Sequence, residues 1–384
     1  MVKKMNCNKK NKILITSTDV MMLQFLVPHV FYLQKNGYDI SVACSNVENH
    51  IEELTQIFQG NVRFYVIDAV RNPFSLKNIS GYKKLKELLK EHKFDLIWTN
   101  EPVMSVLTRL AARGYRKHGL KVLYVAHGFH FYKGASLIRW LLFYPIEKIM
   151  SIFTDKLITI NSEDYAFAIK HFSRCNPVLF NGIGVNTQKF ARSNVDFIKK
   201  RNEIDVPLDS ILFLSVGELE KRKNHYSVIT AFAKAKIENA FLVICGVGTQ
   251  EKSLNKLIKK YNIDTKVRLL GYRYDIKELL ETADYFILGS YQEGLSVAIM
   301  EAMAMEKICL VSKIRGNIDL IDEHRGILFN PKNIKSIKDA ISSAAQKVDK
   351  FEEAKKLNLE KLKQFDFEII SNNMLTLINN LLIG

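Results

Sequence analysis

The stretch of this chain best equipped for chemistry runs over residues 289–304, where two carboxylates, Glu293 and Glu301, bracket Gly294, Leu295 and Ser296. Residues 285–288 are apolar and read as a buried strand, and the apolar spacing that follows predicts a helix beginning at Leu295 or Ser296. The unpaired N–H groups of Gly294, Leu295 and Ser296 then form the positive end of that helix, which suits a diphosphate. Glycine at 294 lets the backbone approach an anion closely. At helical rise the two carboxylates lie ~10 Å apart, about the separation of a ribose and a hexose joined through a diphosphate. Carboxylates accept well from sugar hydroxyls, so Glu301 suits the ribose and Glu293 the transferred sugar. A surface glutamate needs no such explanation, but Glu301 interrupts the apolar run 297–305, where a carboxylate requires a partner.

A second candidate lies at residues 216–225. Gly217 makes a turn after an apolar strand, and Lys221, Arg222 and Lys223 follow as three consecutive cations that could clamp a diphosphate and stabilise its departure. Arg273, in a turn after the next-but-one strand, is placed to meet a nucleotide base. The glycines of Gly246-Val247-Gly248 mark another strand-to-helix turn. In the first half, residues 124–134 join a strand end to a loop dense in aromatics. There His127 could bond a sugar or handle a proton, and His130 and Asp19 are candidate acceptor contacts. No two Asp residues stand two apart, so there is no Asp-x-Asp metal clamp. We therefore expect no cofactor and no metal, with charge on the leaving diphosphate met by cations and the helix dipole.

These loops need a scaffold that ends several strands on one edge. Near-continuous apolar runs at 12–16, 39–43, 62–67, 95–98, 121–125, 156–160 and 178–180 predict parallel strands covered on both faces. Helical patterns at 22–36 and 76–92 lie between them. The second half repeats this with strands at 211–216, 240–245, 267–270, 284–288 and 308–311 and helices at 227–236, 250–261, 275–282 and 295–305. Such alternation predicts an α/β fold of two Rossmann-like doubly wound domains. The expected division is an acceptor-binding domain over 1–185, a linker over 186–207, a nucleotide-sugar-binding domain over 208–364 and a C-terminal helix over 365–384.

Composition narrows the partners. The 384 residues carry a net charge of +16, which points to an anionic ligand or an acidic membrane surface, although lysine-rich solvated helix faces account for it equally well. The absence of an Arg-rich stripe with interleaved aromatics argues against nucleic acid. Five scattered cysteines in apolar runs read as reduced, buried thiols. The first twelve residues lack the apolar core of a signal peptide, so the chain is expected in the cytoplasm. Residues 137–153 are too charged to span a bilayer. Trp140, Leu141, Phe143 and Tyr144, with Lys133, Arg139 and Lys148 beside them, fit either an interfacial segment or ordinary core.

With these residues in hand, the chain resembles glycosyltransferase family 4, retaining enzymes of the GT-B fold in which two domains face a central cleft. Glu293 to Glu301 matches that family's Glu-x7-Glu motif, and Lys223 stands at its diphosphate-binding lysine. Residues 124–134, 144–148, 181–185 and 216–224 resemble members that build bacterial capsule or exopolysaccharide. The resemblance implies that Glu301 holds the ribose, Glu293 the donor sugar, Lys223 the diphosphate and His127 the sugar from the opposite domain. It implies a nucleotide-sugar donor, a UDP-sugar above all, and a saccharide or lipid-linked acceptor at the inner membrane face. Two positions depart from the pattern: Glu218 stands where many members have Arg, and Thr18-Asp19-Val20 replaces a Gly-Gly loop. Two rival readings are a nucleotide-sugar 2-epimerase of the same architecture and a non-enzymatic basic binding protein.

Overall fold

The computed structural model describes residues 10–18, 23–46, 50–187, 189–190, 195–346 and 351–383. The chain divides into two compact units, Met1–Ile183 with Ile369–Gly384, and Gly184–Glu368. Asp19 lies outside the described residues.

The first unit alternates β1 (Lys12–Ser17), α1 (Val27–Lys35), β2 (Asp39–Cys44), α2 (His50–Ile57), β3 (Arg63–Val66), α3 (Lys77–Glu91), β4 (Leu96–Asn100), α4 (Pro102–Ala112), β5 (Lys121–Ala126), α5 (Leu137–Met150), β6 (Lys156–Thr159), α6 (Ser162–His171) and β7 (Val178–Leu179). All seven strands are parallel, in the order β3-β2-β1-β4-β5-β6-β7. Ile13, Leu14 and Ile15 are wholly buried on successive, opposite faces, as a sheet covered on both sides requires. Each such side chain stabilises the fold by about 1.5–3 kcal/mol.

The second unit repeats the plan with α7 (Phe197–Glu203), β8 (Ile211–Val216), α8 (His225–Ala235), β9 (Ala240–Cys245), α9 (Glu251–Lys260), β10 (Val267–Leu269), α10 (Ile276–Thr282), β11 (Tyr285–Leu288), α11 (Val297–Ala304), β12 (Ile308–Ser312), α12 (Asn317–Leu320), β13 (Gly326–Phe329), α13 (Ile334–Gln346) and α14 (Glu352–Leu362). Its six parallel strands run β10-β9-β8-β11-β12-β13. Both sheets reverse strand order beside their first strand, between β1 and β4 and between β8 and β11. That is where open α/β sheets leave a crevice at the carboxyl ends of their strands.

Two expectations about organisation change. The segment expected as a linker over 186–207 is built into the second unit. Its helix α7 is capped by Asp196, which accepts from the Lys199 N–H at 2.9 Å. Arg201 is 1% exposed and donates to the carbonyls of Thr282 and Ser210 while pairing with Asp284 at 2.9 Å. The last helix, α15 (Phe367–Ile383), is not a separate appendage. From residue 369 onward it belongs to the first unit, where Tyr38 donates to Asn379.

For α5, of the two readings its sequence allows, Trp140, Phe143 and Tyr144 follow the core one and turn inward onto Phe129, Phe131 and Phe172. Beneath them Arg109 and Glu147 form a buried pair at 2.9 Å. The opposite face of the same helix exposes Leu137 (80%), Ile138 (75%) and Leu141 (78%).

Candidate active site

Two loops at the carboxyl edge of the second sheet, residues 217–224 after β8 and 289–296 after β11, are stitched together by backbone and side chain. The Tyr291 N–H donates to the Arg222 carbonyl at 2.9 Å. Asn224 donates from Nδ2 to the carbonyls of Gly289 and Pro331. Asn224 itself sits at φ +57, a left-handed conformation that asparagine tolerates better than most residues. This stitching brings the cations of one loop onto the carboxylate of the other. Lys223 Nζ lies 2.8 Å from Glu293 Oε1, Arg222 Nη1 lies 3.2 Å from Oε2, and Ser290 donates to Oε1 at 2.7 Å. Lys223 and Glu293 are 12% and 8% exposed.

Burial alone would push the Glu293 carboxyl up. The adjacent Lys223 and Arg222, with the hydrogen bonds to it, outweigh burial and hold it below the usual carboxylate value. Glu293 is therefore ionised at neutral pH, and its charge keeps both cations gathered in one place. Beyond it, Ser296 caps α11, its hydroxyl accepting from the Ile299 N–H. The helix thus begins at Val297, with Gly294, Leu295 and Ser296 forming the approach to its positive end. That approach is braced from below. A Cβ at Gly316 (φ +78) would sit 2.2 Å from the Gly294 carbonyl oxygen, and Ser312 donates to the Ser290 carbonyl at 2.7 Å.

Glu301 lies within α11. Desolvation by burial, only partly countered by Lys189, raises its pKa to about 7, and it accepts no hydrogen bond among the described residues. A carboxylate so placed gains most from ligand hydroxyls that donate to it. Affinity for a nucleotide-diphosphate sugar, whose diester phosphates do not titrate in this range, is expected to increase from pH 6 to pH 8 as Glu301 ionises. Glu301→Gln should flatten that profile in calorimetric titrations. In the ligand-free protein the sign is opposite. The fold retains a proton that the unfolded chain releases at the ordinary 4.5, so this group costs stability as pH rises from 4.5 to 7 and no further above it.

Other residues singled out by sequence fall differently. Gly217 packs against the stem of Lys223, where a Cβ would lie 3.3 Å from Cε. Glu218, at the position where the family pattern has Arg, pairs with Arg222 at 3.2 Å. Arg273 is not available for a base in this arrangement: Asp275 and Glu203 take its guanidinium, tying α7 to the turn after β10. In the first unit, His130 rests on the Phe143 ring at 4.6 Å, a packing role rather than an open acceptor contact. His127 Nε2 lies 3.1 Å from Asn100 Oδ1, which also accepts from Trp98 Nε1. An indole can only donate, so that oxygen is an acceptor, His127 carries its proton on Nε2, and Nδ1 is left to accept. Burial lowers the His127 pKa to about 4, so the ring is neutral at physiological pH. Ser290, Asn224 and Gly316 were not singled out from sequence. Ser290 and Asn224 lie inside the 289–304 and 216–225 stretches, whereas Gly316 carries no signal in the sequence.

The family model for group 1 glycosyl transferases matches residues 196–359, and the model described as glycosyl transferase 4-like matches residues 4–161. EpsD of Bacillus subtilis (strain 168), a glycosyltransferase by assignment, is 36% identical over 83% of each chain. The UDP-Gal:alpha-D-GlcNAc-diphosphoundecaprenol alpha-1,3-galactosyltransferase of Escherichia coli is 31% identical over 80% of each chain. Among solved structures, HepE of Anabaena in complex with UDP and glucose superposes with a TM-score of 0.80 at 17% identity, over 96% of this chain and 100% of that one, a likeness of fold. The region over 196–359 contains the stitched loops, the region over 4–161 contains His127, and the chain belongs to the group 1, family 4-like glycosyltransferases.

Proposed function

We propose that this glycosyltransferase moves a sugar from a UDP-sugar onto a lipid-linked, diphosphate-bearing saccharide during synthesis of a bacterial surface polysaccharide. The transfer retains anomeric configuration and needs no metal. The observation that carries this reading is the Lys223–Glu293–Arg222 cluster beside the start of α11, with Glu301 further along the same helix. The cluster offers two cations to a diphosphate. Once the diphosphate engages them, Glu293 is released to accept from hydroxyls of the transferred sugar. Glu301 accepts from the ribose, and His127 Nδ1 accepts from a sugar hydroxyl. Following the front-face course that the family resemblance implies, the anomeric carbon–phosphate oxygen bond breaks as the acceptor oxygen attacks from the same face. The acceptor proton passes to the departing phosphate oxygen, whose charge Lys223 and Arg222 take up.

The relatives support this donor and acceptor: the Escherichia coli enzyme is named for UDP-Gal and a diphosphoundecaprenol acceptor, and HepE, alike in fold, was crystallised with UDP and glucose. No helix among the described residues is long and apolar enough to cross a membrane. We place the protein in the cytoplasm, peripheral to an anionic membrane surface. Support comes from α5, a helix apolar both toward the core and toward solvent, which globular packing alone does not call for. Between Glu101 and Glu147 the sequence has no acidic residue while Arg113, Lys117, Lys133 and Arg139 are present, a favourable balance for an anionic surface.

The test incubates the purified chain, with EDTA present, with UDP-, GDP- and dTDP-sugars and a short-chain polyprenyl diphosphate sugar. Transfer from a UDP-sugar with retention, read by NMR, is the expected result. A new sugar formed from UDP-sugar alone would mark an epimerase, and dependence on a divalent ion would remove the metal-free course. In parallel, changing Leu137, Ile138 and Leu141 together to Gln should reduce flotation with anionic vesicles at least about tenfold, given the apolar area lost. Transfer to a water-soluble acceptor should persist. Undiminished flotation would dismiss α5 as the membrane face.

A further inference from the structure

The order reversal of the first sheet lies between β1 and β4, and the residue that follows β4 there is Glu101. Its backbone sits at φ +61, ψ 149, in a region that side-chain-bearing residues essentially leave to glycine, and it is followed directly by Pro102. A strained backbone persists only where surrounding contacts over-determine it, and here they do. One carboxylate oxygen, Oε2, accepts from Ser17 Oγ at 2.8 Å, the Thr18 N–H at 2.6 Å and Thr18 Oγ1 at 2.5 Å. The other, Oε1, receives Arg71 Nε at 3.3 Å. Glu101 is 11% exposed and Arg71 62%. The neighbouring Asn100 holds His127 and also donates to the Thr16 carbonyl at 3.4 Å. Glu101 therefore ties together the chain leaving β1, the segment after β3 and the end of β4, at one point on the carboxyl edge of the sheet.

We propose that this point is the acceptor's diphosphate subsite: Arg71 binds the diphosphate of the lipid-linked saccharide, and Glu101 is the positioning residue that aims Arg71 and shapes the Ser17–Thr18 turn. An arginine anchored at Nε by a carboxylate is pre-ordered, so less side-chain freedom is lost when it meets a phosphate, and its planar fork suits a phosphate better than a lysine would. The strain at Glu101 has a role on this view, because glycine could adopt the same backbone but could not hold Arg71. The assignment rests on the acceptor class proposed above and specifies where its anionic part is recognised.

The experiment compares two soluble acceptors carrying the same sugar, one on a short-chain polyprenyl diphosphate and one on an uncharged alkyl aglycone. Arg71→Ala should raise KM for the diphosphate acceptor about tenfold or more, the size of one lost charge-assisted contact. KM for the alkyl glycoside and for the donor should not change. Arg71→Lys should recover part of the loss, and Glu101→Gln should reproduce the defect with an unchanged melting temperature. Equal effects on both acceptors, or none on either, would overturn the assignment of Arg71. A wild-type enzyme that uses the alkyl glycoside and ignores the diphosphate acceptor would overturn the acceptor class and this subsite with it.

Discussion

Lys223→Ala should lower kcat/KM for transfer by at least about a hundredfold, the scale of losing one preorganised electrostatic contact at a centre of developing charge. Glu293→Ala should match it in size and differ in kind. Removing Lys223 takes away a partner of the diphosphate itself, so donor affinity falls together with turnover. Removing Glu293 frees Lys223 and Arg222 from the carboxylate 2.8 and 3.2 Å away. Donor binding is then retained or tightened while kcat falls, the signature of a contact that matters after the ground state. Because the two side chains touch, the double variant should lose less than the product of the single losses. Steady-state kinetics combined with calorimetric donor titration separates these patterns, and wild-type rates in either single variant would remove the site assignment.

The same pair predicts a stability asymmetry. Glu293 is nearly buried, and without Lys223 its charge keeps only Arg222, 42% exposed, and the Ser290 hydroxyl. Breaking a buried pair from one side typically costs about 3–5 kcal/mol, and the remaining cation should bring the figure toward the lower end. In wild type the depressed Glu293 pKa contributes stability above the ordinary 4.5 that is lost as pH falls through the folded value. In Lys223→Ala that contribution shrinks or reverses, so the variant should lose its disadvantage in acid, where the carboxyl is neutral.

Parallel strands were the legible part of this fold. Buried on both faces, they leave unbroken apolar runs such as Ile13-Leu14-Ile15 and Leu212-Phe213-Leu214, and twelve of the thirteen were expected within a residue or two. The exception, β13, is a four-residue strand at the sheet edge that opens on Gly326 and is only partly buried, too short and too mixed to stand out. Helix α13, not among the expected elements, does carry a sequence signal: Ile337, Ala340, Ile341 and Ala344 recur at helical spacing and are its buried face. What periodicity could not decide was which apolar face of α5 meets the core, because both faces are apolar. Nor could it show that Arg201, in a run of Lys, Arg and Glu, is spent on internal carbonyls. At the site, residue types and loop positions were legible in Glu293, Lys223 and the start of α11. The meeting of Lys223 with Glu293 across 70 residues, and the diversion of Arg273 to Asp275 and Glu203, are tertiary facts with no local signature.

Gly246 tests how tightly that tertiary arrangement is held. Beyond their ends, β8 and β9 continue to pair: the Gly217 N–H donates to the Cys245 carbonyl and the Leu219 N–H to the Val247 carbonyl, both at 2.9 Å. Gly246 sits between these bonds with φ +152, and a Cβ there would lie 2.0 Å from the Gly217 oxygen and 2.8 Å from its carbonyl carbon. Both obstacles are backbone, so no side-chain rotation relieves the clash. The backbone at Gly217, beside which the stem of Lys223 lies, must move instead. Gly246→Ala should therefore cost more than the about 1–3 kcal/mol usual for overpacking and weaken donor binding at least about tenfold, although residue 246 has no side chain to bind a ligand and its N–H is taken by the Gly271 carbonyl. Two controls isolate the cause. Gly114 has open space around it and an ordinary φ, so Gly114→Ala should be neutral or slightly stabilising. Gly271 has open space but φ +68, so Gly271→Ala should show only the cost of the left-handed backbone. If Gly246→Ala kept the wild-type melting temperature and donor affinity, the 217–224 loop would be free to relax, and the rigid gathering of Lys223 and Arg222 around Glu293 could not be what prepares the site for a diphosphate.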